Sequence, residues 1–285
     1  MLDLRHVCRA LVVLAASAGA CASALAVAPS SPAELASIYS TEVDRRLDVP
    51  PQDVQRYAEL AESEFSRANV VPVLPQYVVV VDRNPRVQAL LLMWRSAEGN
   101  YQLAGASPVS TGRPGTFDHF QTPVGVFEHT VSNMDYRAEG TFNENGIRGY
   151  GEKGMRVFDF GWQQVPKGWG DHAVIQMRLQ MHATDPDQLE QRLGTIQSEG
   201  CVRIPASLNR FIDHYGLLDA EYDELAEGGQ RLSVLRSERE PVTEAGRYMV
   251  VVDSGRGSRP RWATHIGPAH PATAASPPHR WARPA

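Results

Sequence analysis

An eight-residue alternation of apolar and polar residues constrains the fold of this chain most strongly. Apolar side chains occupy every second position, and polar ones lie between them: Ile175, Met177, Leu179 and Met181 against Gln176, Arg178, Gln180 and His182. Because successive side chains of a β-strand point to opposite faces, this period of two predicts a strand with one face in a core. The alternation also predicts that His182 ends the strand on a polar, accessible face.

Other segments predict the rest of the architecture. The apolar, β-branched runs 77–81 and 90–94 are each followed by turn-forming residues and indicate strands. Residues 31–70 show helical spacing of apolar residues on both sides of Pro50 and Pro51. Residues 132–170, rich in Gly, Asn and charge, predict a long surface excursion. We therefore expect a mainly β fold with flanking helices (α+β).

Composition limits the function classes. The 285 residues, 42% hydrophobic and 21% charged, are enough for one good core. A net charge of -5 and a pI near 6.0 argue against a nucleic-acid partner. No run after the N-terminal segment approaches the ~18 apolar residues of a membrane span. The histidines offer no recognisable zinc set, so we expect no metal, no cofactor and a monomer.

The N-terminal residues have the order of a secretory signal. Arg5 and Arg9 precede an apolar run, and small residues then alternate up to Ala28. We therefore expect residues 1–28 to be a signal peptide and the protein to enter the periplasm or cell envelope, with lipid attachment at Cys21 as an alternative. The further predicted units are a helical segment at 29–72, a catalytic domain at 73–253 and a disordered Pro/Ala/Arg-rich tail at 254–285.

A lone cysteine is the strongest chemical signal. Cys8 and Cys21 lie in the predicted signal, so Cys201 has no partner for a disulfide after export. Its chemistry points to a nucleophile, with His182 as general base and as an imidazolium that would lower the thiol pKa. The Gly200 and Cys201 amides could stabilise an oxyanion.

The segment that follows predicts a supporting helix. Leu208, Phe211, Ile212 and Tyr215 share one helical face. Ser207 is the expected cap and Gly216 the expected stop.

Several motifs together resemble the YkuD-type L,D-transpeptidase family. His182 is followed after fifteen residues by Ser198-Glu199-Gly200-Cys201-Val202-Arg203, and two stretches precede it, Val109-Ser110-Thr111-Gly112 and Thr122-Pro123-Val124-Gly125-Val126-Phe127. The resemblance covers roughly residues 75–253. It implies a β-sandwich catalytic domain that acts on peptidoglycan stem peptides and forms 3→3 cross-links through a Cys201 thioester, a role in cell-wall organisation and cell shape. His182 would be the base, Ser198 and Gly200 would shape the loop, and Arg203 would hold a carboxylate or brace the loop.

Two positions depart from the family pattern. Glu199 stands where the family has a second histidine, and Ala183 where a glycine often follows the first. A carboxylate near His182 would favour imidazolium and oppose a nearby thiolate, so Glu199 is expected to tune the site or to bind a cationic substrate group. Two alternatives stay open: a cell-wall carboxypeptidase or endopeptidase that uses water as acceptor, and a non-catalytic envelope binding protein with a decayed site.

Overall fold

The computed structural model describes residues 28–264 and has a mixed α+β architecture. Nine strands form two sheets, and four α-helices flank them. The mainly β fold class expected from the sequence is confirmed. The predicted signal peptide, except Ala28, and residues 265–285 of the predicted tail lie outside the described residues.

The first sheet has five strands in the order β3-β2-β1-β9-β4. Its strands are β1 (Gln76–Asp82), β2 (Ala89–Arg95), β3 (Tyr101–Pro108), β4 (Gly125–Glu128) and β9 (Tyr248–Val252). The central strand β1 is buried on both faces, since Val79 and Val81 enter one apolar cluster while Val78 and Val80 enter another. A continuous run of valine suits a strand covered on both sides.

The second sheet carries the cysteine and the histidine. It contains β5 (Tyr136–Arg137), β6 (Arg156–Pro166), β7 (Val174–Ala183) and β8 (Val202–Ile204) in that order. Strands β7 and β8 are parallel, with His182 opposite Arg203. Leu179 and Met181 join Val79 and Val81 in one core cluster, as the alternation predicts. The inner faces of the two sheets therefore share a single apolar core.

Four helices flank the two sheets, and three of them pack on this core or on the outer face of the first sheet. They are α1 (Pro32–Glu42), α2 (Pro51–Arg67), α3 (Ala206–His214) and α4 (Ala220–Glu227). Ser31 caps α1 by accepting a hydrogen bond from the Glu34 amide at 3.2 Å. Helices α1 and α3 contribute Leu35 and Phe211 to the core between the sheets, whereas α2 covers the outer face with Tyr57, Ala61 and Phe65. The predicted helical segment thus packs directly onto the sheets.

Three sequence-based expectations are corrected by the fold. The region 132–170 contains the whole of β6, whose first six residues are buried, so only part of it is a surface excursion. Residues 254–264, expected in the disordered tail, pack on α2, where the Trp262 indole N–H donates to Asp53 at 2.5 Å. Ser207 is not a cap: α3 begins at Ala206 after Pro205, and the Ser207 hydroxyl donates to Asp44. Gly216 does follow the helix end, at φ +59°.

Candidate active site

The parallel pairing of β7 and β8 brings Cys201 and His182 onto one face of the second sheet. Val202 and Ile204 face the core, so the alternating neighbours Cys201 and Arg203 face away from it, as His182 does. Adjacent strands ~4.8 Å apart, with ~3.3 Å rise per residue, place the Cα atoms of such diagonal neighbours about 8 Å apart. Both side chains can therefore reach one reacting atom.

The turn before Cys201 needs a glycine. Gly200 adopts φ +141°, and a Cβ there would lie 2.3 Å from the Met177 Sδ and 3.3 Å from the Phe120 Cβ. The Gly200 carbonyl accepts a hydrogen bond from the Thr122 hydroxyl at 2.7 Å, and that hydroxyl accepts from the Gly112 amide at 2.9 Å. Glycine is thus required by close packing and by backbone conformation together.

The two upstream stretches that carry the family resemblance converge on this turn. Ser110 pairs with Arg203 through two backbone hydrogen bonds of 2.9 Å, and Gly112 pairs with Ser198. Thr122, from the second stretch, holds the Gly200 carbonyl. Segments about 80 to 90 residues earlier in the chain therefore fix the position of the cysteine loop.

Ser198 holds the loop from within and changes the expected oxyanion site. Its hydroxyl donates to the Cys201 carbonyl at 2.5 Å and accepts from the Gly200 amide at 3.2 Å. The Gly200 amide is therefore engaged inside the loop, and the expectation that it faces an oxyanion is wrong for this conformation. The Cys201 amide stays a candidate donor.

His182 is held in one tautomer. Its Nδ1 lies 2.7 Å from the Ala183 carbonyl oxygen, which can only accept, so Nδ1 carries the proton and donates it. Nε2 is then the basic nitrogen, and within residues 28–264 it makes no hydrogen bond. Ala183, which replaces the common glycine of the family motif, contributes only its backbone to this contact. His182 has the proton arrangement that a general base requires.

His182 is buried, contrary to the expected accessible face. It is 4% exposed because the ring of Tyr150 packs against it, with 4.6 Å between ring centroids. Gly151, at φ +82°, lets this loop approach closely, since a Cβ there would lie 2.8 Å from the Ala183 Cβ. The loop that covers the histidine is residues 149–154, whose glycines fit the pattern G-x-G-x-x-G.

Burial favours the neutral form of both side chains. Burial lowers the pKa of His182 to about 4, and the nearby Arg203 charge acts in the same direction. Burial raises the pKa of the Cys201 thiol to about 11, with smaller opposing effects of the Gln180 amide and Arg203. The expected imidazolium that would lower the thiol pKa is therefore absent from the resting site. The pair is a thiol beside a neutral imidazole.

Glu199 acts on the cysteine and not on the histidine. Its exposed carboxylate raises the pKa of Cys201, as does the buried carboxylate of Asp159. The charge that acts on His182 comes from Arg203. The expectation that Glu199 favours imidazolium is wrong, whereas the expected opposition to thiolate is present.

A cavity of about 450 Å³ opens over the sulfur. Phe120, Tyr136, Tyr150 and Met177 supply apolar and aromatic walls, while Arg178, Gln180 and Glu199 supply polar groups. The cysteine Sγ lies 3.8 Å from the Arg178 carbonyl and is partly exposed. The volume of this cavity lies in the range of pockets that bind small molecules.

Sequence reasoning missed the partners that hold this cavity in place. Buried Asp159 accepts 2.7 Å hydrogen bonds from the Arg178 guanidinium and from the Gln180 side-chain amide. Trp169 packs on Phe120 at 5.0 Å between ring centroids, whereas Trp162 is 59% exposed. The polar positions of β7 were the available signal for Arg178 and Gln180.

Among residues 28–264, no group of three or more His, Cys, Asp or Glu side chains is arranged to hold a metal ion. In the same part of the chain, no helix has the length and apolar character needed to cross a membrane.

Comparisons with known proteins give little beyond the site itself. No protein-family model matches the sequence, and a search of curated proteins found no significant match. Among solved structures, the chain is similar to the helical cell shape determining protein Pgp2 (K307A mutant) from Campylobacter jejuni, with 13% identity and a TM-score of 0.31. The match covers 82% of this chain and 58% of that one, so this chain spans less than two thirds of its length. A functional assignment therefore depends on the geometry of the site.

Proposed function

We propose that this protein is an exported cysteine acyltransferase of the L,D-transpeptidase type, acting on peptidoglycan stem peptides in the periplasm or cell envelope. The observation that carries the proposal is the register of β7 and β8, which sets His182 opposite Arg203 and so puts Cys201, two residues before Arg203, on the same face of the sheet. The Nδ1–Ala183 hydrogen bond at 2.7 Å leaves the basic Nε2 for the thiol. The substrate class comes from the family resemblance of the surrounding motifs.

The proposed reaction has two steps, formation of a Cys201 thioester and transfer of its acyl group to an amine. In the first, the Cys201 sulfur attacks the carbonyl carbon of a peptide bond while His182 Nε2 takes the thiol proton. Collapse of the tetrahedral intermediate breaks the C–N bond, and the leaving amine takes the proton from the imidazolium. In the second, an acceptor amine attacks the thioester, gives a proton to His182, and displaces the sulfur, which recovers its proton.

The neutral resting pair fits general-base catalysis at the moment of attack. A thiol with a pKa of about 11 is almost entirely protonated near neutral pH, so it resists oxidation and stray alkylation. His182, with a pKa of about 4, is unprotonated over the same range and ready to accept the proton. Proton transfer therefore accompanies bond formation, and no stable thiolate precedes it.

The identity of the acceptor separates the proposed reaction from hydrolysis. By family resemblance, the donor is a tetrapeptide stem, the leaving group is D-alanine, and the acceptor amine of a second stem gives a 3→3 cross-link. Water as acceptor would make the enzyme a carboxypeptidase or endopeptidase. Glu199, exposed at the rim of the cavity, supplies a carboxylate that can attract a cationic acceptor amine.

Tetrapeptide muropeptides incubated with the mature protein test the proposal, with products read by mass spectrometry. We expect a dimer that lacks one terminal D-alanine. Cys201→Ala should abolish it, and His182→Gln should reduce it by about 10²- to 10⁴-fold, the usual contribution of a general base. His214→Gln, at a partly exposed histidine of α3, is the matched control and should leave the rate unchanged.

The other outcomes identify the alternatives. Tripeptide without dimer, dependent on Cys201, would establish hydrolysis in place of transfer. Unchanged muropeptide, together with a thiol no more reactive than free cysteine, would contradict enzymatic function and favour an envelope binding protein.

A further inference from the structure

A second cavity, of about 350 Å³, lies next to the cysteine loop and carries positive charge. Three arginines from separate parts of the chain line it: Arg113, Arg192 and Arg203. Glu199 is the one carboxylate among its lining residues, and it also lines the cavity over Cys201. The two cavities are thus neighbours that share one wall.

The arginines of this cavity make no direct contact with a carboxylate in the described part of the chain. Within residues 28–264, none of the three guanidinium groups makes a hydrogen bond or an ion pair with the protein. Burial lowers the pKa of Arg203; the Glu199 carboxylate acts in the opposite direction without contacting the guanidinium, and the like charge of Arg192 adds a smaller lowering. Most other arginines in the fold are paired with carboxylates or backbone carbonyls, as Arg156 is. An unpaired cluster of this kind is stabilised by a bound anion.

Two buried polar atoms at this cavity have no partner. Thr184 is 1% exposed, and its Oγ1 makes no hydrogen bond with the described residues. The buried Nε of Arg203 is also unpaired. Because buried polar groups are nearly always hydrogen-bonded in native proteins, unpaired ones at a cavity indicate a ligand that supplies the missing partner.

We propose that the cavity of Arg113, Arg192, Arg203 and Thr184 binds a carboxylate of the peptide substrate. A carboxylate offers two oxygens that accept bidentate hydrogen bonds from planar guanidinium groups. Arg203 lies opposite His182 in the strand pairing, so a carboxylate held there lies beside the reacting atoms. The inference rests on the proposed function and specifies it: the substrate must present an acidic group next to the bond that Cys201 attacks.

Binding can be measured separately from turnover with the Cys201→Ala protein. Isothermal titration calorimetry at low salt would compare a purified tetrapeptide stem with the same peptide whose carboxylates are converted to carboxamides. We expect the acidic peptide to bind at least about tenfold more tightly, since a charge-assisted hydrogen bond contributes enough for that ratio. Arg113→Gln and Arg192→Gln should each weaken it about tenfold and change amide binding less than twofold.

Controls separate this site from general charge effects. Arg113 and Arg192 are exposed and unpaired, so their glutamine variants should fold normally, whereas Arg203 lies on the cysteine loop and is left unchanged. Arg231→Gln, at an exposed arginine far along the chain in the segment after α4, should affect neither peptide. Equal binding of acid and amide, equal weakening of both by Arg192→Gln, or no binding of either would overturn the inference.

The two proposals fail in different experiments. The acidic peptide could bind more tightly through Arg192 while the wild-type protein forms no cysteine-dependent product. That result would contradict the acyltransferase proposal and support the carboxylate site. A cysteine-dependent product together with equal binding of the acidic and amidated peptides would contradict the carboxylate site and leave the acyltransferase proposal supported.

Discussion

Two buried histidines, His129 directly after β4 and His182 near the end of β7, have opposite electrostatic surroundings. His129 is fully buried, with Nε2 2.8 Å from Asp135 and Nδ1 2.8 Å from the Leu218 carbonyl. Burial lowers the pKa of His129, but the Asp135 carboxylate outweighs that effect and raises it. His182 is almost as buried, yet its charged neighbour is Arg203, and its pKa falls to about 4.

The comparison shows that burial favours the neutral form of a histidine and that a carboxylate in contact with the ring can reverse this effect. His129 belongs to a structural network in which Arg156 contacts Asp135 at 2.6 Å and Asp219 at 2.7 Å through two nitrogens. The carboxylates of Asp135 and Asp219 in this network favour the protonated form of His129. At His182 burial is the main cause of the low pKa and the Arg203 charge adds to it, so the imidazole stays neutral.

Breaking the structural network should have the largest effect on stability. Arg156→Met leaves the buried carboxylates of Asp135 and Asp219 without their main counter-charge, so we expect unfolding to become easier by about 3–5 kcal/mol. Urea unfolding followed by circular dichroism measures the change. Arg67→Met removes an ion pair with Glu64 whose arginine side chain is 66% exposed, and should cost less than about 1 kcal/mol. Equal costs for the two variants would show that the network does not stabilise the fold.

The pH dependence of stability should distinguish the two histidines by sign. The pKa of His182 is about 4 in the folded state and 6.5 in the unfolded state. This difference does not affect folding stability above pH 6.5, but it destabilises the folded state increasingly as pH falls toward 4, by up to about 3 kcal/mol. The folded pKa of His129 is raised, so its contribution is fully present below pH 6.5 and is lost as pH rises through the folded pKa.

Glutamine at each histidine makes this difference measurable. Relative to wild type, His182→Gln should gain stability as pH is lowered from 6.5 to 4, and His129→Gln should lose it on acidification toward pH 6.5. Urea unfolding over pH 4–8 gives both curves, and His214→Gln is the control at a histidine 34% exposed. Parallel pH curves for His129→Gln and His182→Gln would contradict the assignment of opposite charge states.

The sequence predicts the framework of the site better than its electrostatics. The alternation predicts the strand β7 and the core positions of Leu179 and Met181, because strand periodicity is a local property. The burial of His182 could not be predicted, since it depends on Tyr150 from a distant loop. Arg113 and Arg192 carry no local signal either, because only the tertiary fold brings them to Arg203.

The smallest expected effect concerns Glu199, the residue that departs from the family motif. Glu199→Gln removes a charge that raises the pKa of Cys201, although burial remains the larger cause, so the thiolate fraction near pH 8 should rise only about threefold. The rate of iodoacetamide alkylation, followed by intact mass, reports this fraction. Glu227→Gln, at the exposed end of α4, is the matched control and should leave the rate unchanged. An alkylation rate that Glu199→Gln leaves unchanged would show that burial and Asp159 set the pKa of the Cys201 thiol without Glu199. A threefold rise would mean that this carboxylate, like Arg203 beside His182, helps hold the reacting pair in its neutral form.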